Sequence, residues 1–395
     1  MLRFALILGL LSAVGPFAID MYLPGMPMIE GDLDASVAAT QMTLTAYFIV
    51  FGLAQLVYGP WSDQVGRKPP LYLGLGIFAF ATVGCALSPT IGWLIAFRAM
   101  QGLGGAVLMV VPRAIIRDRY TGVEGTKLMA MVMLVISVSP MLAPLAGSGL
   151  LLVGGWRLLF WAMFAAAGAS LLVTAFAFRE TLTPSLRVAI NFMNLRRGAR
   201  VLLRDPVFMG LTMIGGFGMA SFFVFLANAA FVYTDQFGLT PTGFSVAFAV
   251  NAIGFFSASQ AAGPLGARFG MVAVMRNAIF GFAAITAALT LVVALGGGTL
   301  YVIVAGLALA NACLGLVIPT TMVMALDDHG DIAGLASSLG GTLQMLVGGV
   351  MMVLSAQFFD GTALPMVAAI TFCALAALAL SVWIMGRIGQ SAQAS

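Results

Sequence analysis

Apolar runs of about twenty residues recur along the whole of this 395-residue chain, separated by short polar gaps. A helix needs about 20 predominantly apolar residues to cross a bilayer. The runs fall at 4–26, 41–60, 71–88, 91–115, 127–152 and 156–178, then at 207–233, 243–264, 271–295, 300–325, 333–357 and 364–387. Only 8% of residues are charged, against about 25% in a soluble domain. No soluble fold of this length could hide so much apolar surface. A membrane barrel would show alternating segments of ~10 residues, and none occur. The expected fold is an all-α membrane protein with twelve transmembrane helices.

The polar gaps set the topology. The first run follows Arg3 as a signal peptide would, but it continues past any plausible cleavage site and carries an acid, so an uncleaved helix is expected. With the N-terminus inside, the inner gaps hold Arg3, Arg67, Lys68, Arg117, Arg119, Lys127, Arg268, Arg276 and Arg387, and the outer ones hold Arg157. That asymmetry predicts both termini in the cytoplasm. The longest polar stretch, 179–206, carries six further arginines, Arg179, Arg187, Arg196, Arg197, Arg200 and Arg204. It reads as a cytoplasmic linker, with an amphipathic helix on the inner leaflet, between an N-terminal bundle over 1–178 and a C-terminal bundle over 207–395. An internal echo supports two halves: Gly59-Pro60 followed by Gly66 recurs as Gly263-Pro264 followed by Gly270. Two pseudo-symmetric six-helix bundles around a central cavity are a transporter plan.

One carboxylate stands apart. Asp20 lies inside the first run, far from any other acid, whereas the remaining acids sit in gaps or near run ends. An intramembrane carboxylate is expensive and marks a functional site by default. Arg98, inside the fourth run, is a cation at similar depth, reckoned at ~1.5 Å per residue. The pair is expected to carry proton coupling, with Arg98 adjacent to Asp20; the alternative for Arg98 is snorkelling to the outer surface.

Three motifs add to this. The gap after the second run reads Gly59-Pro60-Trp61-Ser62-Asp63-Gln64-Val65-Gly66-Arg67-Lys68. Its glycines permit a tight turn and close helix approach. A positive-inside anchor alone would explain Arg67 and Lys68 but not Asp63. The fourth run holds Arg98-Ala99-Met100-Gln101-Gly102, followed by more small residues. The fifth holds Pro140, Pro144 and Gly147, and its prolines predict a kink.

The first of these segments resembles the G-x-x-x-D-x-x-G-R-K signature of the major facilitator superfamily, with every fixed position present. The second resembles the family's R-x-x-x-G motif. The third is similar to its antiporter motif, with Ala143 and Ser148 in place of glycines. Pro16-Phe17-Ala18-Ile19-Asp20-Met21-Tyr22-Leu23-Pro24 resembles the first span of drug:proton antiporters of the bicyclomycin-resistance (Bcr/CflA) type, related to phenicol exporters. The resemblance implies a cytoplasmic gate made by Gly59, Asp63, Gly66, Arg67, Lys68, Arg117 and Asp118, with Arg67 pairing Asp118. It also implies export of small, mainly apolar drugs in exchange for protons, by alternating access in the bacterial inner membrane.

The remaining calls follow from side-chain chemistry. With 25 Met and 29 Phe, the cavity is expected to be apolar and adaptable. Tyr22, Tyr47, Gln101, Asn228, Asn251, Asn311 and Gln344 are its candidate polar liners; each could equally be an interhelical hydrogen-bond partner. Cys85, Cys313, Cys373 and the single histidine, His329, show no metal-ligand spacing. No nucleophile–base set lies within the runs, which argues against an intramembrane enzyme. The expected partners are small-molecule drugs, protons and lipid, with no nucleic acid, no cofactor beyond the proton gradient, and a monomeric state. The other reading within transport is a metabolite exporter, for an amino acid or a polyamine.

Overall fold

The computed structural model describes residues 2–120, 122–176, 180–187 and 192–394. Among these residues there is no strand, and twelve helices are long and apolar enough to cross a membrane. We number them as spans 1 to 12. Spans 1 to 6 are Ile7–Asp32, Val37–Val65, Lys68–Ala86, Ile91–Arg119, Lys127–Val153 and Arg157–Phe176. Spans 7 to 12 are Pro206–Gln236, Pro241–Phe269, Met271–Gly297, Leu300–Asp327, Gly330–Ala356 and Ala363–Gly386.

The chain forms two compact units, divided between residues 191 and 192. The two units share one set of principal packings, to which the second adds span 7 on span 12. In the first, span 2 packs on span 4, span 1 on span 5, and span 3 on spans 4 and 6. In the second, span 8 packs on span 10, span 7 on span 11, and span 9 on spans 10 and 12. The sequence echo has a structural counterpart: Gly66 and Gly270 each end the second helix of their unit with positive φ, +102° and +83°.

Helix starts follow their capping residues. Ser36, Thr240, Thr299 and Asp205 each accept a backbone N–H from the first turn that follows. Span 1 departs from the unbroken helix expected over 4–26. Its first helix stops at Asp20, and a 3-10 turn over Leu23–Gly25 leads into a short helix, Met26–Asp32. Proline explains the break. Pro24 has no N–H to give to the carbonyl of Asp20, four residues back.

The basic helix of the linker spans Phe192–Arg204 and belongs to the second unit, packed on spans 7 and 11. Leu202 is buried, whereas Arg196, Arg197, Arg200 and Arg204 are exposed. Arg179, expected in the same linker, lies outside the described residues.

Candidate functional site

Asp20 sits where span 1 breaks, and it is 5% exposed. Arg98, on span 4, is wholly buried. Its guanidinium lies over two rings, 4.5 Å from the centroid of Tyr22 and 4.6 Å from that of Tyr47. Its Nη1 donates to the carbonyl of Ala18 at 3.1 Å and to Gln101 Oε1 at 2.5 Å. Gln101 is held in turn by donating to Thr82 Oγ1 at 2.8 Å. Tyr22 shares a 2.7 Å hydrogen bond with Thr43. The sequence-predicted residues Asp20, Tyr22, Tyr47, Arg98 and Gln101 thus gather in the first unit.

The expected adjacency of Asp20 and Arg98 is not formed as an ion pair. Among the described residues, Asp63, Asp118, Asp32 and Asp205 are ion-paired and Asp20 is not. The reason is geometric. Arg98 reaches the level of Ala18, but Gln101 and the two rings hold it. Arg98 is not snorkelling either, since none of its surface is exposed.

Span 5 approaches this site through Gly147. A Cβ there would run into the carbonyl oxygen of Met21, beside Asp20. Pro140 and Pro144 lie inside the same helix, Gly122–Val153. At the Asp32 end of the unit, Arg157 pairs with Asp32 at 2.6 Å, and Trp156 Nε1 donates to the same carboxylate at 2.9 Å.

The opposite end carries the Gly66 turn. Arg67 is 2% exposed and makes a two-pronged contact with Asp118, Nε to Oδ2 at 2.7 Å and Nη2 to Oδ1 at 2.9 Å. Its Nη1 donates to Asp63 at 2.6 Å and to Ser62 Oγ at 2.9 Å. Burial works against the charge of Arg67, but the carboxylates of Asp118 and Asp63 outweigh it and hold the group above its ordinary range. Glu180 caps the turn, accepting from the backbone N–H groups of Arg67 at 2.9 Å and Lys68 at 3.0 Å. Thr181 donates to Asp118 at 3.0 Å. Lys68 lies 5.6 Å from the ring centroid of Tyr72, Arg117 is exposed, and Gly59 sits within the body of span 2.

Sequence reasoning missed Ser62, Glu180 and Thr181. Ser62 stands in the signature and could have been read as an acceptor for the arginine five residues on. Glu180 lies 113 positions from Arg67, and no local pattern points to it. Arg113 was also missed, although it stands six residues inside the end of span 4.

In the second unit, Asn311 Nδ2 donates to Asn251 Oδ1 at 3.2 Å, joining spans 10 and 8. Asn228 Nδ2 reaches the Val224 carbonyl at 2.8 Å and Ser355 Oγ, on span 11, at 3.4 Å. All three asparagines are buried, so they clasp helices within the bundle. Gln344 is half-buried beside Thr212 and Thr321 on a small cavity of about 30 Å³. A larger cavity, about 520 Å³, opens at the end of this unit between Val207, Met271, Arg276, Met324 and Asp328, and contains none of the expected residues.

Residues 8–352 match the Major Facilitator Superfamily. The chain belongs to that family. It is 34% identical to an uncharacterized MFS-type transporter, YdgK, of Bacillus subtilis, covering 92% of this chain and 91% of the relative. It is 28% identical to a bicyclomycin resistance protein homolog of Haemophilus influenzae, over 94% and 93% of the two chains. A chloramphenicol resistance protein of Pseudomonas aeruginosa is 31% identical, over 68% and 62%. Among solved structures, the nucleoside transporter NupG superposes with a TM-score of 0.75 at 12% identity, covering 97% and 99%, which shows the shared fold. This superfamily member is a multi-pass membrane transporter and not an enzyme.

Proposed function

We propose that this carrier exports small, mainly apolar drugs across the bacterial inner membrane, exchanging them for protons by alternating access, with both termini in the cytoplasm. The observation that carries the reading is Asp20: a carboxylate 5% exposed, inside a span, at a proline break, with no ion-pair partner among the described residues. A buried carboxylate must be either paired or neutral. A cycle that alternately supplies and withdraws water or a cation therefore loads and unloads one proton at Asp20. Resistance proteins for bicyclomycin and chloramphenicol among the relatives support drugs as the cargo.

In this reading the other clusters act on Asp20 or on conformation. Gln101, Tyr22 and Tyr47 position Arg98 near the carboxylate. The cluster of Arg67, Asp63, Asp118 and Glu180 stabilises one conformation over another and touches no drug. No bound cofactor takes part, and a single chain suffices. The test is drug susceptibility in a pump-depleted bacterium expressing the wild-type chain or Asp20→Asn at equal membrane levels. Asn keeps the size of the protonated acid, so we expect resistance to vanish. Full resistance in the variant would remove Asp20 from the mechanism.

A further inference from the structure

The Gly66 turn of the first unit is closed twice by charge. Arg67 grips Asp118 at the end of span 4, and Glu180 accepts the N–H groups of Arg67 and Lys68 at the start of span 3. The Gly270 turn of the second unit has neither closure. Aligning Gly66 with Gly270 sets Met271 opposite Arg67 and Gly266 opposite Ser62. Met271 takes the course of Arg67, its sulfur lying against Gly266 as Arg67 Nη1 lies against Ser62. A thioether brings no charge and no donor. The acid is nonetheless retained: Asp327 stands as far from the start of span 10 as Asp118 does from the start of span 4.

Between these elements opens the cavity of about 520 Å³, walled by Arg276 of span 9 and by Asp327 and Asp328 at the end of span 10. Its volume is that of a small-ligand site, ~300–1,000 Å³. Among the described residues, none of these three side chains takes part in an ion pair or hydrogen bond. The two acids follow one another at a helix C-terminus, where the helix dipole is itself negative, so the position favours a cation beside them. Gly270 and Met271, at the start of span 9, line the same cavity, and no side chain caps that start. The first N–H groups of a helix are ready donors to an anion. Phe269 and Val272, also on the wall, are exposed apolar side chains.

The turn thus calls for a cation at the acids and an anion at the helix start, both from one molecule. We propose that this cavity binds a phosphate ester bearing a primary ammonium, supplied by an aminophospholipid of the inner leaflet. The phosphate takes the role that Glu180 has in the first unit, accepting from the N–H groups of Met271 and Val272, with Arg276 as its counter-ion. The ammonium takes the role of the Arg67 guanidinium and donates to Asp327 and Asp328. A primary ammonium has three N–H donors for them; a quaternary one has none. Phe269 and Val272 offer the acyl chains an apolar lip, which a water-soluble ester does not use. Binding fastens span 9 to span 10 and closes the Gly270 turn from outside the chain, as Arg67 closes the Gly66 turn from within it.

The test measures lipid binding to the purified full-length carrier by native mass spectrometry, with hydrogen exchange at Met271 and Val272 as a second readout. The probes are the dioctanoyl forms of phosphatidylethanolamine, phosphatidylcholine and phosphatidylglycerol, and free phosphoethanolamine. We expect the ethanolamine lipid to bind the wild type about tenfold or more tighter than the other three probes, because it alone combines charge-assisted donors with acyl chains. Its addition should slow exchange at Met271 and Val272. Arg276, Asp327 and Asp328 are all exposed, so their substitution leaves the packed core intact. Asp327→Asn combined with Asp328→Asn should erase the preference for ethanolamine over choline. Arg276→Gln should instead weaken all three lipids to a similar degree. Met271→Arg restores the guanidinium that the first unit carries; it should pair with Asp327 and abolish the preference without any acid being removed. Equal binding of the three lipids by the wild type overturns the proposal. So does an ethanolamine preference that survives both the double acid substitution and Met271→Arg. Phosphoethanolamine binding as tightly as the lipid overturns the assignment to a membrane lipid.

Discussion

Asp118→Asn is the sharpest probe of the Gly66 turn, because the structure ranks its two ion pairs. Arg67 is 2% exposed and Asp118 only 11%, whereas Asp63, its other partner, is 43% exposed. Removing one partner of a buried pair costs ~3–5 kcal/mol. Asparagine keeps one acceptor and Asp118 retains some water contact, so the loss should be about 2 kcal/mol, roughly a 30-fold shift in the opening equilibrium. The Asp63 pair is largely screened by solvent; Asp63→Asn should cost about 0.5 kcal/mol, roughly a twofold shift. Hydrogen exchange reads both directly, since the amides of Arg67 and Lys68 are bonded to Glu180. Protection of those amides should fall about 30-fold in Asp118→Asn and about twofold in Asp63→Asn. If Asp63→Asn loosens the turn as much as Asp118→Asn does, the ranking by burial is wrong. The turn would then be held by the contact between Asp63 and Arg67.

Three further outcomes follow from the same contacts. Gly147→Ala places a methyl against the Met21 carbonyl; overpacking of this kind costs ~1–3 kcal/mol, so the melting temperature in detergent should drop and drug resistance with it. Gln101→Leu removes the acceptor that holds Arg98 Nη1; a hydrogen bond to a charged group contributes ~1.5–3 kcal/mol, and thermal unfolding should report that loss. Burial pushes the Glu180 carboxyl up, but the backbone N–H groups of Arg67, Lys68, Leu182 and Thr181 together hold it below its ordinary value. A depressed carboxylate stabilises above its unfolded value and loses that contribution as pH falls through the folded one. Protection of the Arg67 amide should accordingly be full near neutrality and fade in acid below the usual carboxylate range, and Glu180→Gln should flatten that profile.

Much of the fold was legible because one physical demand, about 20 apolar residues per crossing, repeats without interference. The break in span 1 was legible in principle. Pro24 stands four residues after Asp20, and a count of missing N–H donors would have found it. The Arg67–Asp118 contact could be anticipated from the signature, because both residues sit at helix ends brought to one side by even span counts. Glu180 could not, since it lies 113 positions from Arg67 and no spacing links the two. An Asp20–Arg98 ion pair does not form, for a different reason. Counting residues gives depth along a span but not the direction a side chain takes, and Arg98 turned toward Gln101 and two tyrosine rings. Asn228, Asn251 and Asn311 show the same blindness: the sequence marks a polar group in a span without saying whether a neighbouring helix or a solute satisfies it.

The central claim is that Asp20 carries the exchanged proton. Proteoliposomes loaded with a pH-sensitive dye and a drug gradient test it most directly, by recording proton movement when the drug leaves down its own gradient. The wild-type carrier should move protons in the opposite direction to the drug. Asp20→Asn, at equal incorporation, should move none, whatever residual drug flux it keeps. Drug-driven proton movement at the wild-type rate in Asp20→Asn would contradict the account and place the proton elsewhere.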